Sequence, residues 1–170
     1  NLIKADNLEG VTGAPNSKYL RMLHVQMSVT APLYWWKEMD TYKICTVRNS
    51  SSTMHKLAST PITMDCFEMN DFDTLSDFFM TIRDKSVAYN VYWQYHLIPI
   101  LEQLRQKYNE TKDKRYWKEL IRWLPESWLQ TRTVTMTYEN LLAMCGKGQR
   151  RFHKLNEWSG QDNPDVPNFI

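Results

Sequence analysis

The stretch Ala31-Pro-Leu-Tyr-Trp-Trp-Lys-Glu-Met-Asp-Thr-Tyr-Lys-Ile-Cys-Thr-Val-Arg-Asn-Ser-Ser-Ser-Thr-Met-His-Lys-Leu57 decides how the rest of the chain is read. It opens on a helix-start signal, because Pro32 suits the first helical position, where its missing N–H would be unpaired anyway. Trp35, Met39 and Tyr42 recur at helical spacing and predict a short amphipathic helix with an aromatic face. After Lys43 the pattern gives way to a polar run, Arg48-Asn-Ser-Ser-Ser-Thr53, closed by His55 and Lys56. Hydroxyl and amide groups beside cations are what an anion or a nucleotide needs for recognition. The plainer alternative is a solvated loop, the usual fate of a Ser/Asn-rich run after a helix.

Upstream, His24 to Thr30 alternates, with Val25, Met27 and Val29 on one side and His24, Gln26 and Ser28 on the other, which predicts a half-buried strand. Ser17 to Leu23 reads as a short helical lead-in. Before it, Asn1 to Ala5 reads as a short strand followed by breakers at Gly10, Gly13 and Pro15.

Downstream, residues 58–73 carry Pro61 and the acids Asp65, Glu68, Asp71 and Asp73, and read as an irregular connector. Thr74-Leu-Ser-Asp77 has capping-box spacing with Asp in place of Glu and predicts a helix through about Arg83. Val87, Val91, Tyr95, Ile98, Leu101, Leu104 and Tyr108 predict a long helix that Pro99 should kink or split. A polar turn follows, with Thr111 as N-cap of a helix over Lys112–Trp123 that Leu124-Pro125 ends. Leu129 to Thr137 places Thr at alternate positions and predicts a strand, with a helix through the same residues as the rival. Tyr138 to Met144 predicts a helix ending at Gly146. A basic turn over Gly146–Arg151, a short helix around His153–Trp158 and an extended tail over 161–170 complete the chain.

At 170 residues the sequence fits a single domain over 1–170, enough to bury roughly two-thirds of its unfolded surface. Apolar residues make up 42% and aromatics 13%, a globular composition. The net charge of +2 is spread over mixed signs, so no basic face for nucleic acid is expected. The three cysteines, Cys45, Cys66 and Cys145, show neither a disulfide framework nor CxxC metal spacing, and imply a reducing, cytoplasmic setting. No run approaches the length of a membrane span, and the opening residues show no signal-peptide pattern. His55 beside Ser51-Ser52 suggests a nucleophile and base, but no acid at suitable spacing completes a triad, so no catalytic residue is expected. The other histidines are scattered without metal-ligand spacing, so no metal site is expected. Glu102 and Glu110 read as a solvated helical surface.

Two parts of this layout resemble the flavin-dependent thymidylate synthases of the ThyX type. That family has a strand ending in Ala-Pro, a helix, then Arg-His-Arg-x-x-Ser-x-Asn-Glu-x-Ser-x-Arg-Tyr. Laid on without gaps from Ala31, the pattern falls on Thr41-Tyr42-Lys43, Thr46, Arg48-Asn49, Ser51 and Thr53-Met54. Glu119-Leu-Ile-Arg-Trp-Leu-Pro125, followed by Thr131 and Leu141-Leu142, is similar to the family's Ala-Arg-x-x-Leu-Pro segment and its substrate-binding helix. The chain also resembles a group of phage and prophage proteins that carry TAPLYWWKE…TYK…NSSSTMHKL and LPxSxxQTRTVTxxYENLL segments.

The departures are chemical. Only Ser51 is identical to the motif, with Lys43 and Thr46 conservative. The family's flavin- and phosphate-contacting arginines fall on Thr41 and Thr53, the motif His on Tyr42, the flavin-side His on Asn16, and the pyrimidine-contacting Arg on Glu139. A carboxylate at that last position reverses the local charge. Flavin chemistry needs such groups to orient and tune the ring system.

The resemblance therefore implies an α+β, ThyX-like fold, an antiparallel sheet flanked by helices with one long helical segment. It also implies a homotetramer in which the two segments meet at subunit contacts. The expected ligand is nucleotide-like, with no cofactor and FAD disfavoured. The candidate ligand-binding residues are Trp36, Tyr42, Lys43, Arg48, Asn49, Ser50, Ser51, Ser52, Thr53, His55 and Lys56 from one segment, and Arg122, Gln130, Arg132 and Thr133 from the other. Arg48 and Arg132 would fork onto phosphate oxygens, Lys43 or Lys56 would act as point charges, and Tyr42 or Trp36 would stack on a base. The alternative for each Arg is an ion pair with Glu38, Glu126 or Glu139. The leading functional expectation is a phage protein that sequesters a nucleotide or its derivative, including a host defence signal. A diverged synthase or nucleotide-modifying enzyme is one alternative. A protein-interaction module using Trp35, Trp36 and Trp128 is the other.

Overall fold

A computed structural model describes residues 15–50, 53–69 and 78–145. The expected N-terminal strand, the Thr74–Asp77 helix start, Ser51, Ser52, the basic turn, the helix around His153 and the tail lie outside the described residues. Along the described chain run a 3-10 turn (Pro15–Arg21), β1 (His24–Pro32), α1 (Leu33–Met39), β2 (Thr46–Ser50), α2 (Thr53–Ser59) and a 3-10 turn (Met64–Cys66). There follow β3 (Phe79–Ile82), β4 (Lys85–Ala88), α3 (Tyr89–Tyr92), a π-helical turn (Trp93–Leu97), α4 (Ile98–Thr111), α5 (Lys114–Trp123), β5 (Leu129–Thr137) and α6 (Tyr138–Cys145). Three strands pair in the order β1-β5-β2, and β3 and β4 form a separate antiparallel hairpin. The fold is mixed α+β, as the alternating and helical periods predict. Among the described residues no helix is long and apolar enough to cross a membrane.

The chain forms two compact units that interleave along the sequence. The first comprises Asn1–Val29, Lys37–Asn49 and Arg132–Ile170. Here β1 alternates half-buried Val25, Met27 and Val29 with exposed His24, Gln26 and Ser28. The central strand β5 turns Val134 and Met136 wholly inward. Ser28 Oγ lies 3.4 Å from Thr133 Oγ1, and in the second unit Thr30 Oγ1 lies 2.8 Å from Thr131 Oγ1. One residue number rises as its partner's falls, which marks β1 and β5 as antiparallel, and the alternate threonines are that cross-strand ladder.

The polar run that reads as a loop is instead the strand β2 followed by the helix α2. Its first residues escape the usual pattern because Val47 points outward, 72% exposed, while the polar Thr46 and Arg48 are half-buried. Apolar alternation is therefore inverted on this strand, and the signal that identifies strands is absent.

The second unit comprises Thr30–Trp36 and Ser50–Thr131. Its core is Leu57, Ile62, Phe67, Ile98, Leu101, Leu120 and Trp128. Phe67 stands edge-on between Trp93 and Trp128, at centroid distances of 5.7 and 5.4 Å. Trp36 is fully buried, and its indole N–H is shared between the carbonyls of Ala31 (3.1 Å) and Gln130 (3.0 Å). Trp35 and Trp128 are also buried. The expected aromatic contact surface of Trp35, Trp36 and Trp128 is thus core, which removes the residues on which the interaction-module reading relied.

Five further expectations are corrected in this unit. The residues through Arg83 form the hairpin strand β3 instead of a helix, with Ile82 paired to Lys85. Arg83 and Asp84 adopt φ of 49° and 62°, the pair of positive values that a two-residue hairpin turn needs. Val87 belongs to β4, so the long helical segment starts at Tyr89. Pro99 does not split that segment in two. The π-helical turn over Trp93–Leu97 precedes it, and Pro99 falls in the first turn of α4, where its missing N–H is tolerated. The extra residue of the π turn also rotates the helix face, leaving Tyr95 64% exposed while Ile98 and Leu101 are buried.

At the α4–α5 turn, Lys112 takes the left-handed conformation (φ 56°). Asp113, not Thr111, caps α5 by accepting from the Arg115 N–H. Glu102, expected on a solvated surface, is instead a half-buried hub. It accepts from Arg105 Nε (2.7 Å), Arg105 Nη2 (2.6 Å), Gln106 Nε2 (2.9 Å) and the Ile62 N–H (2.8 Å). Arg105 and Asn109 both donate to the Ala58 carbonyl, which ties the C-terminal end of α2 to α4.

Candidate functional site

Within the first unit, α1 ends in a tight turn. The N–H groups of Thr41 and Tyr42 bond to the carbonyls of Glu38 and Met39 at 3.0 and 3.1 Å. Arg48 reaches from β2 into this turn, and its Nη2 donates to the carbonyls of Met39 (2.8 Å) and Tyr42. A cation at the helix C-terminus satisfies carbonyls that have no partner within the helix. The other terminal nitrogen, Nη1, donates to Asp40 Oδ1 at 2.7 Å. Arg132, on the neighbouring strand β5, donates Nη1 to both oxygens of Asp40, at 3.2 and 3.3 Å.

The two arginines expected to grip a phosphate therefore share one carboxylate. Their side chains are 17% and 18% exposed, against 46% for Asp40. The ion-pair alternative takes this form, with Asp40 as a carboxylate partner of both arginines. Arg48 keeps a buried Nε with no hydrogen-bond partner. Both terminal nitrogens of Arg48 are engaged by the chain itself.

The remaining candidates divide between the units. In the first, Tyr42 is half-buried, Lys43 and Asn49 are exposed, and Thr133 faces Ser28. In the second, Trp36 is sealed in the core and its ring faces are unavailable to a base. Gln130 is buried and lends its carbonyl to Trp36. Ser50 and Lys56 are exposed, and Thr53 and His55 lie on α2. Arg122 pairs with Glu119 on the exposed side of α5.

A pocket of about 530 Å³ opens in the first unit, lined by Arg21, Ile44, Cys45, Thr137, Glu139 and Asn140. Its wall is made where β5 passes into α6. Thr137 Oγ1 accepts from the Asn140 N–H at 3.3 Å, capping the helix. The Tyr138 N–H bonds to the Leu23 carbonyl at 2.9 Å and so fixes the helix start beside the 3-10 turn. From that turn, Arg21 Nε donates to Glu139 Oε2 at 2.7 Å. This bond raises the Arg21 pKa above its usual value. Asn140 Nδ2 donates to Thr46 Oγ1, which joins α6 to β2.

Sequence reasoning places neither Arg21, Asp40 nor Asn140 in a site. Arg21 and Glu139 are 118 positions apart, so no local spacing announces them. Asp40 stands only eight residues before Arg48 and was legible as a partner. Ile44 and Cys45 lie inside the stretch quoted at the outset, between Lys43 and Arg48.

No protein-family model matches the sequence, and no curated protein matches it. Among solved structures, the chain is similar to the flavin-dependent thymidylate synthase ThyX from Helicobacter pylori complexed with FAD and dUMP. The TM-score is 0.51 at 16% identity, over 85% of this chain and 66% of that chain. A second structure of ThyX from the same organism with FAD and dUMP gives 0.45 at 14% identity, over 75% and 59%. The first likeness shows the fold, which is ThyX-like, and this chain spans 66% of the length of that neighbour.

Proposed function

We propose that the chain binds a nucleotide or a nucleotide derivative on its ThyX-like fold, without flavin chemistry, and acts by holding that ligand. The observation that carries this reading is the pocket of about 530 Å³ lined by Arg21, Glu139 and Asn140. That volume is within the range of small-molecule sites, and its wall combines a guanidinium, a carboxylate and an amide with the apolar Ile44. The fold supports the reading because its solved neighbour is complexed with two nucleotides, FAD and dUMP.

The non-catalytic part rests on residue chemistry. Thr41, Tyr42, Thr53 and Glu139 stand where the resemblance implies flavin-, phosphate- and pyrimidine-contacting Arg and His, and none of the four reproduces the cationic donors that orient a flavin. Sequestration of a nucleotide signal in a phage-infected cell, and assembly as a homotetramer, complete the proposal.

Calorimetry and thermal-shift screening of the purified chain against mononucleotides, cyclic nucleotides and ADP-ribose derivatives test it. A saturable response to at least one class is expected, and silence across all of them sinks the reading. Light scattering on the same sample tests the tetramer. The enzymatic alternative, favoured by the fold likeness itself, predicts a yellow protein with a flavin spectrum or turnover of deoxyuridylate.

A further inference from the structure

Resting on the nucleotide-binding reading, we infer that the Arg21–Glu139 pair reads a guanine-type base, one that presents a carbonyl, an N–H and an NH₂ in a row. The pair is already assembled, with Arg21 Nε on Glu139 Oε2 at 2.7 Å, so donor and acceptor groups lie side by side in the pocket wall. Among the described residues, Glu139 Oε1 and both terminal nitrogens of Arg21 have no hydrogen-bond partner. The Glu139 side chain is 26% exposed and that of Arg21 63%, so the carboxylate is the more deeply set of the two. Asn140 adds one more acceptor. Its amide nitrogen is taken by Thr46, and its side-chain carbonyl has no partner among the described residues.

A wall of this kind has a definite complement. A carboxylate is acceptor-only, and a guanidinium is donor-only. The guanine edge runs O6, N1–H, N2–H₂: the carboxylate accepts from N1–H and N2–H while Arg21 donates to O6. Hypoxanthine keeps the first two groups and loses the third. Uracil sets a second carbonyl against the carboxylate. Adenine turns the bare N1 lone pair toward it, which leaves an acceptor facing an acceptor with no proton between them.

The test is calorimetry of the full chain with GMP, IMP, UMP and AMP at neutral pH, on the unaltered protein and on Glu139→Gln. GMP is expected to bind about tenfold or more tighter than IMP, with AMP weakest, the discrimination typical of one bidentate base contact. Glu139→Gln should bring GMP down to the IMP level while the melting temperature without ligand changes little, since the 63% exposed Arg21 leaves the ion pair screened by solvent. AMP or UMP binding as tightly as GMP overturns the base assignment and leaves nucleotide binding standing. Guanine preference that survives Glu139→Gln overturns the role of Glu139. Absence of binding by all four overturns this inference, and the broader reading then stands or falls on the cyclic nucleotides and ADP-ribose derivatives.

Discussion

Replacing Glu102 by Gln should make the protein less stable at neutral pH and should erase much of its sensitivity to acid. Hydrogen bonds from Arg105, ahead of the Ile62 N–H and Gln106, hold the Glu102 carboxyl down to about 2 from an ordinary 4.5, against a desolvation that pushes the other way. A group whose pKa is depressed by folding stabilises the folded state above its unfolded pKa and loses that contribution as pH falls through the folded value. The window is therefore pH 4.5 down to about 2. At ~1.4 kcal/mol per pH unit, the full contribution is about 3.5 kcal/mol. The side chain of Glu102 is 20% exposed and that of Arg105 12%, so solvent screening reduces this only modestly. Urea unfolding of both proteins from pH 7 to pH 2 supplies the curves. The gap between them should be about 3 kcal/mol above pH 5 and should close as the natural carboxyl takes up its proton. A gap below about 0.5 kcal/mol at pH 7, or one that stays constant down to pH 2, would refute the assignment of Glu102 as the hub joining α2, Ile62 and α4.

Three other substitutions probe separate parts of the fold. Asp84→Gly should stabilise by about 0.5–1 kcal/mol in urea unfolding, because Asp84 holds a φ of 62° that glycine adopts without a Cβ clash. Trp36→Phe removes the donor shared by the Ala31 and Gln130 carbonyls and should cost about 1–3 kcal/mol; a change under 0.5 kcal/mol would mean that the indole N–H carries no weight. Asp40→Ala leaves the guanidinium groups of Arg48 and Arg132 facing each other without their shared carboxylate. It should lower the urea midpoint by an amount worth about 1–3 kcal/mol, whereas Asp40→Asn, which keeps an acceptor, should lose less.

Strands and helices with strong local signals were legible in the sequence by itself. The alternation from His24, the threonine ladder from Leu129 to Thr137, the aromatic helix after Pro32 and the stop at Leu124-Pro125 all express a period that backbone geometry imposes on side chains. The ThyX-like fold was also legible, through the order of these elements around Ala31 and Leu124. What failed locally failed for identifiable reasons. β2 hides its strand character by exposing Val47 and turning Arg48 inward. The β3–β4 hairpin turns on Arg83-Asp84 instead of a glycine pair. The π turn before Pro99 shifts a helical face that a uniform 3.6-residue period cannot describe.

The candidate site depended on tertiary structure throughout. Arg21 meets Glu139, and Arg48 meets Arg132 through Asp40, only after strands distant in sequence have paired. Periodicity reports which side of an element a residue occupies, since that follows from the residue's own backbone. It does not report which charge on another element will lie opposite, because that depends on strand pairing and on the angle at which a helix leaves the sheet. Sequence therefore determined the cations and the strongly periodic strands and helices here, and the folded chain decided β2, the β3–β4 hairpin, which cations are bound to Asp40 and that Arg21 faces the pocket.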